Sequence, residues 1–232
     1  SSGITSMPIP DDSASGAGTI RIESLGRAAD VAVSAGDTPK IIADKIRSAA
    51  GNWLEVKESV LCLEGRGPDD LRELVLACAA HLLLQTGKAR ALDAARQQAE
   101  DCLASGKPRE KWNEMLAAQG ADLAAFNRKL ALDHTAPVVL ELKAPASGFV
   151  SRCDARILGE IVRDLGGGRF TKESGINHDV GVDAIAKPGE AIQAGGVLAR
   201  IHAADRTQAD AACARLETAF GISAQLLAAQ PL

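Results

Sequence analysis

The hydrophobic period of this chain changes once, at Pro137, and that change limits what the chain can fold into. Before it, apolar residues recur at helical spacing; after it, they are interleaved with polar ones as in strands. In the segment 51–65, Leu54, Val56, Val60, Leu61 and Leu63 fall mostly at helical spacing, and Gly65 offers a stop. Asp69 or Asp70 then caps a second helix behind Pro68. Its apolar face of Leu71, Leu74, Val75, Cys78, Leu82 and Leu83 is wide enough to predict packing on more than one side. Two further helical segments close at Gly106 and Gly120, making four helices in succession.

Beyond Pro137, Val139, Leu140 and Leu142 are interleaved with Glu141 and Lys143, and a turn at 144–148 leads into Phe149-Val150. Asp154 is placed to cap a helix carrying Ile157, Leu158, Ile161, Val162 and Leu165. Residues 180–203 then read as three short strands, and residues 205–220 as an amphipathic helix that includes Phe220. The predicted class is α/β in the α+β sense, with helices first and a small β-rich domain after them. Residues 1–18 read as a flexible tail, 19–133 as a mostly helical unit and 134–232 as the β-rich domain. Within the helical unit, residues 20–50 promise only short elements of ambiguous type.

Composition removes several classes of function. The 26 Lys and Arg are dispersed and the net charge is −4, so there is no basic stripe for nucleic acid. Only 3% of residues are aromatic and Tyr is absent, which leaves no base-stacking platform. No apolar run is long enough for a membrane span and no signal-peptide pattern is present. The five cysteines are odd in number and lack a CxxC, which points to a reducing cytoplasm.

The residues themselves spell out no catalytic constellation. GGGR at 166–169 follows a helix, as a helix stop does, whereas a phosphate cradle precedes one. His81 and His202 lack a relay partner at readable spacing, and His134 and His178 fall in loops without a ligand set. Asp69-Asp70, Asp93, Glu100-Asp101 and Glu110 are expected near helix starts, where the macrodipole accounts for them. Cys153 and Cys213 read as inert thiols. The strand and turn order of 144–203 resembles biotinyl and lipoyl carrier modules of the barrel-sandwich hybrid type. Here, though, residues 152–178 replace the modified hairpin. Lys172 lacks the flanking residues of a modification site, and Lys187 sits in an ordinary KPGE turn.

Four segments in order, 51–76, 104–120, 144–169 and 180–203, resemble the C-terminal half of the thymidine and pyrimidine-nucleoside phosphorylases. The match is colinear from about residue 46; before it, only Leu25-Gly26-Arg27-Ala28-Ala29 is similar, and residues 43–49 depart from the family pattern. The resemblance implies an enzyme that splits thymidine, deoxyuridine or uridine with phosphate into free base and pentose 1-phosphate. It implies a homodimer paired through a helical domain, or a complementing N-terminal chain. In the family, the glycine-rich phosphate segment and the base-binding residues lie in the N-terminal half. No catalytic or substrate-binding residue is therefore carried over, and the isolated chain is expected to be inactive. No cofactor is required, but a hard monovalent cation such as potassium is implied at the backbone carbonyls of Ile46 and Ala49 and the carboxylate of Glu58. The alternative is a non-catalytic binding or scaffold module derived from such an enzyme.

Overall fold

A computed structural model of the chain describes residues 18–24, 27–33 and 49–226. Of the predicted tail at 1–18, residues 1–17 lie outside the described residues, and Gly18 opens a strand. Strands β1 (Gly18–Ser24) and β2 (Arg27–Val33) pair as an antiparallel hairpin, which settles part of the ambiguous 20–50 region. Helices α1 (Asn52–Leu63), α2 (Asp69–Gln85), α3 (Leu92–Ala104) and α4 (Lys107–Ala118) follow the predicted order. Pro68 itself is the residue that caps α2, with Asp69 and Asp70 in its first turn. A fifth helix, α5 (Leu123–Leu130), was not anticipated; Asp122 caps it by accepting from the amides of Ala124 and Ala125.

Glu100 and Asp101 do not sit near a helix start, because α3 runs on to Ala104 and places them in its last turns. There Glu100 accepts from Arg96, one helical turn earlier, at 2.8 Å. Arg96 is only 3% exposed and also meets Glu73 of α2 at 2.7 Å, so two carboxylates pair with a guanidinium buried between the helices through its Nε and Nη2, while Nη1 makes no hydrogen bond among the described residues. Beside it, Ala80, Ala89 and Ala95 bring α2 and α3 into close contact.

The β-rich part holds β3 (Val138–Lys143), β4 (Gly148–Cys153), β5 (Gly181–Asp183), β6 (Ala191–Ile192), β7 (Val197–Ala203) and β8 (Phe220–Ser223). They form two three-stranded antiparallel sheets, ordered β3-β7-β5 and β6-β4-β8, which do not close into a barrel. Helix α6 (Ala155–Val162) starts on the Asp154 cap as predicted, and α7 (Arg206–Glu217) is capped by Asp205. The last helix stops at Glu217. Phe220 opens β8, which pairs with β4. One core joins both sheets and both helices: Leu142, Val150, Ile161, Val182, Ile201 and Leu216 are each at most 5% exposed.

Candidate functional site

Three of the four segments that carry the resemblance, 51–76, 144–169 and 180–203, meet where the start of α1 meets β5. Ala50 and Val182 form an antiparallel bridge, with amide to carbonyl distances of 2.7 and 2.8 Å in the two directions. Three residues on, the amide of Trp53 donates to the carbonyl of His178 at 3.1 Å. Such approach requires glycine on both sides. A Cβ on Gly51 would lie 2.6 Å from the Val180 carbonyl oxygen, and one on Gly181 would lie 2.3 Å from that of Ala50. Gly51 also holds φ +132, a region closed to other residues.

Asn52 extends this junction to the glycine loop. Its Nδ2 donates to the Gly167 carbonyl at 2.8 Å, across 115 residues of sequence. The loop itself is a π-type turn over Arg163–Gly167 that continues α6, and Gly166 breaks it at φ +93. The amide of Asn177 closes the loop onto the Gly166 carbonyl at 2.8 Å. GGGR at 166–169 thus ends a helix and receives Asn52. Its glycines follow α6, so they do not form the leading turn that presents amides to a phosphate.

A second layer of contacts surrounds the first. Trp53 stacks edge-on against Phe126 at 5.6 Å between centroids, and the Lys129 ammonium lies 4.4 Å from the Trp53 ring centre. Lys129 also meets Asp179 at 2.7 Å, and Thr135 Oγ1 donates to the same carboxylate. The Lys129 ammonium, helped by Thr135, holds the Asp179 carboxyl below the ordinary range against the opposing effect of burial. Lys57 of α1 donates to the carbonyls of Leu132 and Asp133 at the end of α5.

Behind these lies a polar cluster on β5 and β7. Asp183 and Arg200 are cross-strand partners and join by two bonds of 2.7 and 2.8 Å; Arg200 reaches on to Asp133. His202 is completely buried with Nε2 2.9 Å from Asp183 Oδ1, although neither ring nitrogen makes a well-directed hydrogen bond. Burial pushes the Asp183 carboxyl up, but His202 and Arg200 outweigh it and hold the group below its ordinary value. Bonding to Asp183 raises the guanidinium of Arg200 further. His134 lies 6.4 Å from His202 between ring centroids. Among the described residues, no group of three or more His, Cys, Asp or Glu is placed to hold a metal ion.

The implied cation ligands are only partly visible. Ile46 lies outside the described residues. Ala49 is 6% exposed, just before the Ala50 bridge, and Glu58 is 6% exposed on the inward face of α1. A buried carboxylate and a backbone carbonyl are hard oxygen donors, so their chemistry suits a hard cation. Burial, followed by the nearby Glu58 charge, pushes the Cys62 thiol up; burial does the same to Cys213, which suits neither to nucleophilic work. His81 is exposed on α2, and His134 and His178 lie in loops. The tripeptide Lys-x-Ser occurs at 57–59 and 172–174 without a glycine-rich turn behind it. Ser59 bonds back to Glu55 within α1, and Ser174 to Thr171.

A cavity of about 440 Å³ opens at the far end of α1, lined by Leu63, Glu64, Arg72, Leu103 and Arg109 among others. Glu64 pairs there with Arg66 and Arg109, which overcome burial to keep its carboxyl ionised below the ordinary range.

Residues 149–223 match the family profile described as the pyrimidine nucleoside phosphorylase C-terminal domain. The chain is 35% identical over 192 residues to the pyrimidine-nucleoside phosphorylase of Staphylococcus haemolyticus (strain JCSC1435), covering 82% of this chain and 44% of that protein. It is 36% identical over 176 residues to the pyrimidine-nucleoside phosphorylase of Geobacillus stearothermophilus, covering 76% and 40%. To the thymidine phosphorylase of Burkholderia cenocepacia (strain HI2424) it is 40% identical over 188 residues, covering 78% and 42%. The chain thus spans less than half the length of the curated relatives it matches.

Proposed function

The chain belongs to the thymidine and pyrimidine-nucleoside phosphorylase family, carrying its C-terminal part, and from that premise we propose that it supplies the framework of a phosphorolytic enzyme. In that reaction phosphate forms a bond to the anomeric carbon of the pentose, the N-glycosidic bond breaks, and the pyrimidine leaves. The residues that grip phosphate and base belong to an N-terminal half, supplied by a complementing chain or by further sequence. What this chain contributes is rigidity. The observation that carries the reading is the junction of Gly51-Asn52 with Gly167 and Val180–Gly181, which ties α1 to the matched C-terminal domain.

The test is phosphate-dependent release of thymine from thymidine. The chain alone gives no release above background, and adding the N-terminal half of a relative restores it. Turnover by the chain alone overturns the reading. Silence with both halves present favours the scaffold alternative.

Resting on the same premise, we propose that a hard monovalent cation binds at Glu58, with the carbonyls of Ala49 and Ile46. Potassium chloride is expected to raise the melting temperature by about 2–4 °C over choline chloride at equal ionic strength, a stabilisation of about 1 kcal/mol. In Glu58→Gln the two salts should give the same melting temperature. An identical potassium shift in both proteins rejects this site.

A further inference from the structure

The cavity at the far end of α1 holds polar groups that the fold leaves unused. Its acids are already engaged: Glu64 pairs with Arg66 and Arg109, and Glu100 with Arg96. Arg109 is engaged as well, meeting Glu64 at 3.1 Å and Asn127 at 3.0 Å. Arg72 lines the same cavity and is half-buried, yet its guanidinium makes no hydrogen bond or ion pair among the described residues. Its charge opposes burial and Glu58 at the Cys62 thiol, which sets the guanidinium near the end of α1.

The same space is bordered by acceptors without donors. Helix carbonyls point out of the C-terminal turn, and the last turns of α1 and α3 both line the cavity. After α1 the chain turns at Gly65, with φ +72, and the amide of Arg66 returns to the Leu61 carbonyl at 2.8 Å. The carbonyls of Leu63 and Glu64 therefore receive no amide among the described residues. After α3, the residue four places beyond Ala104 is Pro108, which has no N–H to give, and the Ala104 carbonyl receives none either. Leu63, Leu103 and Ala104 add apolar wall.

We propose that this cavity binds a free α-amino acid with an apolar side chain. Arg72 takes the carboxylate, the carbonyl ends of α1 and α3 take the ammonium, and Leu63 and Leu103 meet the side chain. The mixture of groups selects a zwitterion. The negative ends of two helices disfavour a bare anion, and Arg72 disfavours a bare cation. A volume of about 440 Å³ accommodates a molecule of that size.

An amide-resolved NMR titration of the chain with L-leucine tests this. The amides of Gly65, Leu103 and Gly106 should move together and saturate. Isocaproate, which lacks the ammonium, and isopentylamine, which lacks the carboxylate, should each bind more than about tenfold more weakly, which is about 1.4 kcal/mol. Arg72→Gln should weaken leucine by a similar factor and leave the melting temperature of the ligand-free chain unchanged, because no partner in the fold is lost. Leucine that moves none of the three amides up to its solubility limit overturns the proposal. Isocaproate binding as tightly as leucine would make this a plain anion site, and isopentylamine doing so would remove Arg72 from it; either result overturns the proposal. So does an Arg72→Gln chain that binds leucine like wild type. Phosphorolysis is not measured, so failure here leaves the preceding reading untouched.

Discussion

Gly51→Ala is expected to destabilise the chain by more than about 3 kcal/mol in urea or thermal unfolding. Two independent costs add. The backbone at φ +132 and ψ 143 is a region reserved to glycine, and holding another residue there costs about 1–3 kcal/mol. The new Cβ also falls 2.6 Å from a carbonyl oxygen and 2.9 Å from the Gly181 Cα, both backbone atoms that cannot swing away as a side chain can. Relief requires opening the Ala50–Val182 bridge, which exposes two buried amide bonds. Two glycines serve as controls. Gly65 has φ +72 with nothing near its Cβ, so Gly65→Ala should cost about 1 kcal/mol from conformation alone. Gly159 lies inside α6 with open space around it, and Gly159→Ala should stabilise by about 0.5–1 kcal/mol. If Gly51→Ala costs no more than Gly65→Ala, the close approach at this junction is wrong.

Asp183→Asn is the second large effect, at about 2–4 kcal/mol near neutral pH. The amide keeps the shape of the carboxylate but removes the charge that pairs with Arg200 beside the fully buried His202. Asp133 remains for Arg200, though its side chain is 68% exposed and it makes a looser contact at 3.2 Å. The pH dependence has a definite sign. The Asp183 carboxyl is held below its ordinary value in the folded chain. Its stabilisation is therefore complete above the unfolded carboxyl value of about 3.9 and is lost as pH falls through the lower folded value. The stability gap between wild type and Asp183→Asn should narrow below about pH 4. A gap that stays constant to pH 2.5 would show that ionisation of Asp183 contributes nothing.

Which parts of this structure could be read beforehand follows from the range of the forces involved. Helix α6 was readable because Asp154 and the apolar face behind it are neighbours in sequence. The signal for α5 was equally local: an Asp122 cap followed by an eight-residue amphipathic stretch behind Gly120. Strand β8 gave no such signal. Phe220 continues the apolar spacing of α7, and only pairing with β4, some seventy residues earlier in the chain, makes it extended. Glu100 and Asp101 misled because acidic residues suit a helix start, while here Glu100 answers a buried arginine one turn away. The polar cluster lay half in view. Arg200 and His202 share one face of β7 by alternation, but their meeting with Asp183 depends on strand register. The contact from Asn52 to Gly167 crosses 115 residues, and no local period encodes it.

The bridge between Ala50 and Val182 is made from main-chain atoms, which every amino acid other than proline possesses. Homologous chains can therefore diverge freely in side-chain chemistry along this line while preserving the joint. Gly51 and Gly181 are different, because there the joint is defined by matter that must be missing. Such a union resembles a dovetail cut in wood: indifferent to the grain of either plank, intolerant of one shaving left in the socket.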